Sequence, residues 1–399
     1  MGLDFLRRAD WLDTRARGYA VVLAVLNAGV LVWLVATSHD GIDRNGFLLG
    51  TDFLSFWTSG RMLHEGGDVY DAAAHIAIQR AFFAQDGAYT AFFYPPPFLL
   101  ACWPLGALGY FPALALWLSA TGALFVAAVR LWARDARLTL PFRLALAAFP
   151  PVLITITHGQ TSFLVAALLG VGALLVRRRP WLAGILIGLA AIKPQFGLLL
   201  PLVLLPTAEW RTIAAAALTI GLLALGAALA FGPQVWPEWL TVSGQAQAAM
   251  SEGVVPYAKM QSLFAAARLL GASLPLAYAL QGMLALAIAG GLAWASLGRR
   301  YSPALASAML VGALLATPFV LDYDMVLLAF PLIHLAAGGF HPWEKPIAAL
   351  AFIAPAFARP LAMEAGIPIM PLVLAALFVL LVKRAIETPA PAGGPPARE

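Results

Sequence analysis

The sequence predicts an all-α protein threaded repeatedly through a membrane, with about twelve transmembrane helices and further helices lying on the membrane surface. Three observations predict it. Charged residues make up 11% of the chain and hydrophobic residues 61%, where soluble domains carry about 25% charged residues. Apolar runs recur from end to end, and a bilayer crossing takes roughly 20 apolar residues. The arginines fall in short clusters between those runs, as orientation signals do. A soluble enzyme with one anchor is excluded, and the net charge of +5 therefore points to membrane orientation rather than to nucleic acid. Cys102 is the single cysteine, so no internal disulfide, cysteine-based metal site or redox pair can form.

Taken in order, Arg7, Arg8, Arg15 and Arg17 precede an apolar run at 18–37 that lacks a convincing cleavage site and reads as a retained first span. Further spans are expected near 111–130, 143–157, 159–176, 180–192, 195–206, 212–232, 274–297, 303–317, 323–338, 345–357 and 367–382. The stretch 95–108 reads as re-entrant or interfacial, because a full span there would put Arg130, Arg134, Arg137 and Arg143 on the same side as Asp52. Both termini are then cytoplasmic. Of the 25 basic residues, all fall inside except Arg44, Arg61, Arg80, Lys193, Lys259, Arg268 and Arg359. Residues 1–387 read as one membrane domain and 388–399, rich in Pro, Ala and Gly, as a disordered cytoplasmic tail. The polar residues embedded in apolar surroundings collect on the outer side, in the loops 38–92 and 233–258 and in the junctions near 95, 158, 193 and 322. Charges at membrane depth are costly and mark function.

In the outer loop 38–92, Phe53, Phe56, Trp57 and Leu63 form a stripe at helical spacing, which predicts an interfacial helix with its aromatic side among the headgroups. Asp52, Ser55 and Ser59 would then point together toward a cleft. Asp52 has two readings: a helix N-cap, or a carboxylate that takes the proton of a hydroxyl. Arg61 is either a snorkelling interfacial arginine or a phosphate partner with its fork of donors. Asp68 and Asp71 read as turn and cap residues, followed by a second interfacial helix at 72–85. Tyr94-Pro95-Pro96-Pro97 has to be extended and walls the site, with Tyr94 a substrate contact. His158 and Gln160 join two apolar runs and can pair with ligand hydroxyls, although for the first a satisfied structural histidine is the favoured reading. Lys193 has no other charge near it from Pro180 to Thr207, so it faces a cavity, a counter-charge or the interface, where it can hold a phosphate. Asp322 and Asp324, flanking Tyr323, read as binding ligand hydroxyls or pairing with Lys193; two carboxylates can also bind a metal, but a pair two residues apart without a third ligand is weak evidence for one.

These motifs together resemble the bacterial polyprenol-phosphate-mannose-dependent α-mannosyltransferases of glycosyltransferase family 87, within the GT-C superfamily. The pieces that carry the resemblance run from Asp52-Phe53 through Gly60-Arg61, then Gly66-Gly67-Asp68-Val69-Tyr70, Tyr94-Pro95-Pro96, Gly159-Gln160, Lys193-Pro194 and Thr317-Pro318 with its acidic turn. The resemblance implies a GT-C-type fold, Asp52 as general base, and inverting transfer of a hexose, mannose in the known members. It further implies a polyprenyl-phosphate-linked sugar as donor, a lipid or glycan acceptor, membrane lipids as surroundings, no nucleotide-sugar site and no cofactor. Asp322-Tyr323-Asp324 departs from the better-known mycobacterial members, which carry histidine near that helix start. The implied location is the bacterial inner membrane, with the active site on its outer side. A secondary transporter or a lipid-linked glycan ligase would share several of these features; internal pseudo-symmetry, which would favour a transporter, is not evident.

Overall fold

The computed structural model describes residues 4, 7–83, 90–134 and 140–387; Arg137 and the expected tail at 388–399 lie outside the described residues. The protein is an all-helical, multi-pass membrane protein. Among the described residues five helices are long and apolar enough to cross a membrane, and the remaining expected spans are shorter or broken pieces packed among them.

The first crossing helix, α1 (Trp11–Ala36), buries Ala20 alone and stands at the edge of the bundle. The following loop folds into two short helices, α2 (Phe53–Glu65) and α3 (Ala72–Phe82), joined by a turn in which Gly66 takes φ +71°. Asp68 accepts from the Tyr70 N–H and Asp71 caps α3 through the N–H groups of Ala73 and Ala74, the turn and cap roles expected of them. The aromatic stripe of α2 does not lie among headgroups as expected. Phe53, Phe56 and Trp57 are buried, and Phe56 meets Tyr94, Phe98 and Trp117 edge to face. Periodicity reports that one face is apolar, not whether lipid or protein covers it.

A short 3₁₀ turn, Pro96–Phe98, leads into α4 (Leu99–Gly106), so the stretch 95–108 contains no crossing helix. α4 packs on α2 with Gly60 against Gly106, where a Cβ on either would collide with the backbone of the other segment. The second crossing helix is α5 (Tyr110–Trp132). The span expected at 143–157 is divided into α6 (Phe142–Ala148) and α7 (Pro150–His158). Phe149 precedes a proline and takes extended angles, φ −76° and ψ 109°, as the clash with a proline ring dictates.

Next come α8 (Ser162–Leu175) and α9 (Pro180–Leu189), the latter tightening into a 3₁₀ turn up to Ile192. Lys193, again ahead of a proline, breaks the chain at φ −121° and ψ 77°. After α10 (Leu200–Leu204), the crossing helix α11 (Trp210–Phe231) leads to α12 (Val235–Glu252), an 18-residue helix where a loop was expected. A 3₁₀ turn at Tyr257–Lys259 and α13 (Leu263–Leu269), capped by Ser262, precede the crossing helix α14 (Leu274–Ser296). α15 (Pro303–Ala316), capped by Ser302, is buried from Ala304 to Leu315 and forms the axis of the bundle. It packs against α8, α14 and the last helix of the chain. The 3₁₀ turn Asp322–Leu328, α16 (Ala329–Ala337), the crossing helix α17 (Glu344–Ala365) and α18 (Met370–Glu387) complete the chain.

Candidate active site

Helix breaks build the site. Gly159, at φ +65°, ends α7, and its Cβ-free surface sits against Phe53. The outer loop is pinned there: the Gly50 and Asp52 N–H groups donate to the Thr157 and His158 carbonyls at 3.2 and 3.0 Å. The Tyr110 hydroxyl holds the Leu49 and Gly50 carbonyls, and the Trp117 indole N–H donates to the Gly159 carbonyl.

Asp52 stands at the start of α2, yet its carboxylate makes no capping bond. Oδ2 instead accepts from Gln160 Nε2 at 2.8 Å. The orientation of that amide is forced, because Gln160 Oε1 accepts from the Tyr94 hydroxyl at 2.9 Å and from the Thr161 N–H at 2.9 Å. An amide with its oxygen so held must turn its NH₂ the other way. Oδ1 of Asp52 has no donor among the described residues. Lys259 Nζ lies 3.9 Å from Oδ2, each side chain 17% exposed.

Behind this carboxylate lies an ion pair. Lys193 Nζ donates to Asp324 Oδ1 at 2.6 Å, and Ser162 Oγ donates to the same oxygen at 2.8 Å. The other oxygen, Oδ2, accepts from the Leu321 N–H. Both charged side chains are buried. Lys193 therefore fills the counter-charge role among its expected alternatives, clamping α8, the break after α9 and the turn before α16. Asp322 Oδ2 takes a different cation, Arg359 of α17, at 3.6 Å. His158 donates through Nδ1 to the Ile154 carbonyl at 2.9 Å, since a carbonyl can only accept; Nε2 is left without a partner among the described residues.

Asp52, Tyr94, His158, Gln160, Lys193, Asp322 and Asp324 are thus linked in one region by these contacts. Arg61 stands apart from them: it is exposed, 3.5 Å from Glu65 and over the Trp57 ring. Ser55 and Ser59 do not share a cleft with the Asp52 carboxylate either. Ser55 donates to the Asp52 carbonyl, and buried Ser59 donates to the Ser55 carbonyl and meets His75, whose burial lowers it from 6.5 to about 4. A helix turns its serines back to its own carbonyls when protein covers that face.

Lys259 and Arg359 are the site residues that sequence reasoning passed over. Each is the only charge in a long apolar stretch, Lys259 between Glu252 and Arg268 and Arg359 between Lys345 and Glu364, which is the same signal that singled out Lys193. Lys259 is carried in by a strap whose Gln261 N–H donates to the Val320 carbonyl at 2.8 Å and whose Ser262 hydroxyl donates to the Pro318 carbonyl.

The arrangement offers a carboxylate fixed through one oxygen and open at the other, with two partly exposed cations among the site carboxylates. A carboxylate so held is able to take a proton from a hydroxyl, and the cations are able to meet an anionic group. The family model described as Glycosyltransferase family 87 matches residues 92–331, more than half of the chain. The protein is a membrane glycosyltransferase. It belongs to glycosyltransferase family 87. The matched stretch holds Tyr94, Gln160, Lys193, Lys259, Asp322 and Asp324, while Asp52 and Arg61 precede it. No curated protein and no solved structure matches the chain.

Proposed function

We propose that the protein transfers a hexose, mannose in the first instance, from a polyprenyl phosphate to a lipid or glycan acceptor, with inversion and with Asp52 as general base. The observation that carries this reading is the Asp52 carboxylate itself. It is held at Oδ2 by Gln160, is unused as a helix cap, and has Oδ1 free to accept a proton. In the step proposed, Oδ1 takes the proton of the acceptor hydroxyl as that oxygen bonds to the anomeric carbon. The bond from that carbon to the phosphate oxygen breaks, and its electron pair leaves on polyprenyl phosphate, a stable anion that needs no acid.

For the phosphate, Lys259 and Arg359 are better placed than Lys193 or Arg61. Both contact site carboxylates loosely, at 3.9 and 3.6 Å, and both retain exposed surface, so a phosphate can take their charge. Lys193 is committed to Asp324. The basic connectors Arg177-Arg178-Arg179 and Arg299-Arg300 at the opposite turns support an outward-facing site in a bacterial inner membrane.

The test is transfer of labelled mannose from synthetic polyprenyl-phosphate-mannose to a mixture of bacterial envelope lipids, by the wild type and by Asp52→Asn. The expected outcome is transfer by the first and a loss of at least about a hundredfold in the second, with unchanged folding because Asn can still accept from Gln160. Equal rates in both would remove Asp52 from the chemistry.

A further inference from the structure

Tyr323 lies between the two acidic residues of the turn and is 4% exposed. Its backbone is fully engaged: the N–H donates to Asp322 Oδ1 at 2.9 Å, and the carbonyl accepts from Thr155. Its hydroxyl makes no hydrogen bond among the described residues. The other tyrosines inside the bundle are different, since Tyr70, Tyr94, Tyr110, Tyr257, Tyr278 and Tyr301 each have a hydroxyl partner. The hydroxyl oxygen is not one of the sealed side-chain atoms that lack a partner, so it keeps access to the site from within a buried residue. An accessible phenol with no protein partner at the centre of a polar site is open to a partner that arrives with the ligand.

Its position says what that ligand group is. Lys193 and Lys259 stand 4.9 and 5.7 Å from the ring centre, and the His158 ring is 5.8 Å away. Cations and carboxylates thus both surround the phenol. A hydroxyl can both donate and accept, which suits it to the hydroxyls of a polyol. The open Oδ1 of Asp52 and the free Nε2 of His158 complete a set of groups matched to hydroxyls.

We propose that the Tyr323 hydroxyl forms a sugar-hydroxyl subsite, bonding one specific hydroxyl of the hexose being transferred. This inference rests on the glycosyl-transfer reading above. A site built to bond a substrate hydroxyl discriminates against the analogue that lacks it. The contact therefore fixes which hexose is accepted as well as holding the sugar before Asp52.

The experiment compares the wild type with Tyr323→Phe on polyprenyl-phosphate-mannose and on its analogues deoxygenated singly at positions 2, 3, 4 and 6. Thermal unfolding of both proteins is measured in parallel. The expected result is an unchanged or raised melting temperature in Tyr323→Phe, because no protein bond is lost, and a fall of about three- to tenfold in kcat/KM on the complete sugar. One deoxy donor should show the same fall with the wild type and no further fall with the variant. A variant that equals the wild type on the complete sugar overturns the subsite. So does a variant that loses the same factor on every donor, or one that unfolds well below the wild type, since each marks a purely structural phenol. Failure of the wild type on every donor is a separate outcome, which overturns the donor assignment and the subsite together.

Discussion

Lys193 and Asp324 show how a single residue can be singled out correctly while its partner stays open. The isolation of Lys193 in an apolar stretch establishes that something must neutralise it, and the turn 322–324 supplies the nearest carboxylates, but which of the two depends on the 3₁₀ geometry after Leu321. With the pair buried at 2.6 Å, Lys193→Met leaves a carboxylate unpaired in the interior and should cost about 3–5 kcal/mol, read as a drop in unfolding temperature in detergent. The double variant Lys193→Met with Asp324→Leu should recover most of that loss, since an apolar pair of similar volume avoids burying charge. Persistence of the full loss in the double variant would mean that the pair orders the site by more than its own charges. Asp52 was legible as the acidic residue of the loop, with cap and base both open. What occupies the carboxylate in place of a cap bond is the amide of Gln160, 108 residues away, and no local pattern encodes a contact of that range.

Among the elements, those bounded by Gly, Pro and Asp were the readable ones. α2 follows from its helical spacing, and α3, the broken stretch after Tyr94 and the start near 303 follow from local chemistry of caps and pre-proline residues; the short helix after Ser262 was not read. What covers a helix face was not readable, and so the aromatic side of α2 was assigned to lipid when α4 and α5 cover it. α12 was missed because its sequence mixes Gln, Ser and Gly with apolar residues and shows neither a span nor a clean amphipathic stripe. The crossing of α2 on α4 depends on Gly60 and Gly106, whose backbones touch. Gly60→Ala should therefore destabilise the protein by about 1–3 kcal/mol, measured by thermal unfolding. It should also reduce transfer, because the same helix carries Asp52 at its start and small misplacements of a reacting group are costly. A stability loss with full transfer would show that α2 can shift without moving its first turn.

For the whole molecule, composition alone establishes a helical membrane protein, whereas the number of crossings could not be counted from apolar runs. Short runs such as 195–206 are pieces that end at prolines inside the bundle, where neighbouring helices rather than lipid satisfy the exposed backbone. The proposed orientation rests on the basic connectors, and it can be tested directly because Cys102 is buried. A membrane-impermeant maleimide should label Asn45→Cys in intact cells stripped of their outer wall, and should label Arg300→Cys only after lysis. The reverse pattern would put the site on the cytoplasmic side. The family match, starting at residue 92, also separates the chain into a recognisable core and a preceding loop that the match does not reach.

That division gives the bond between Gln160 and Asp52 a meaning for exchange of parts. The Asp52 carboxylate, the base of the proposed reaction, is delivered by one segment and aimed by another, like a tool held in a fixed jig. A chimera that receives a foreign version of the loop at 38–92 would keep the proposed base in place only if the new carboxylate comes within reach of Gln160, a demand on loop and core beyond the backbone contacts that seat the loop.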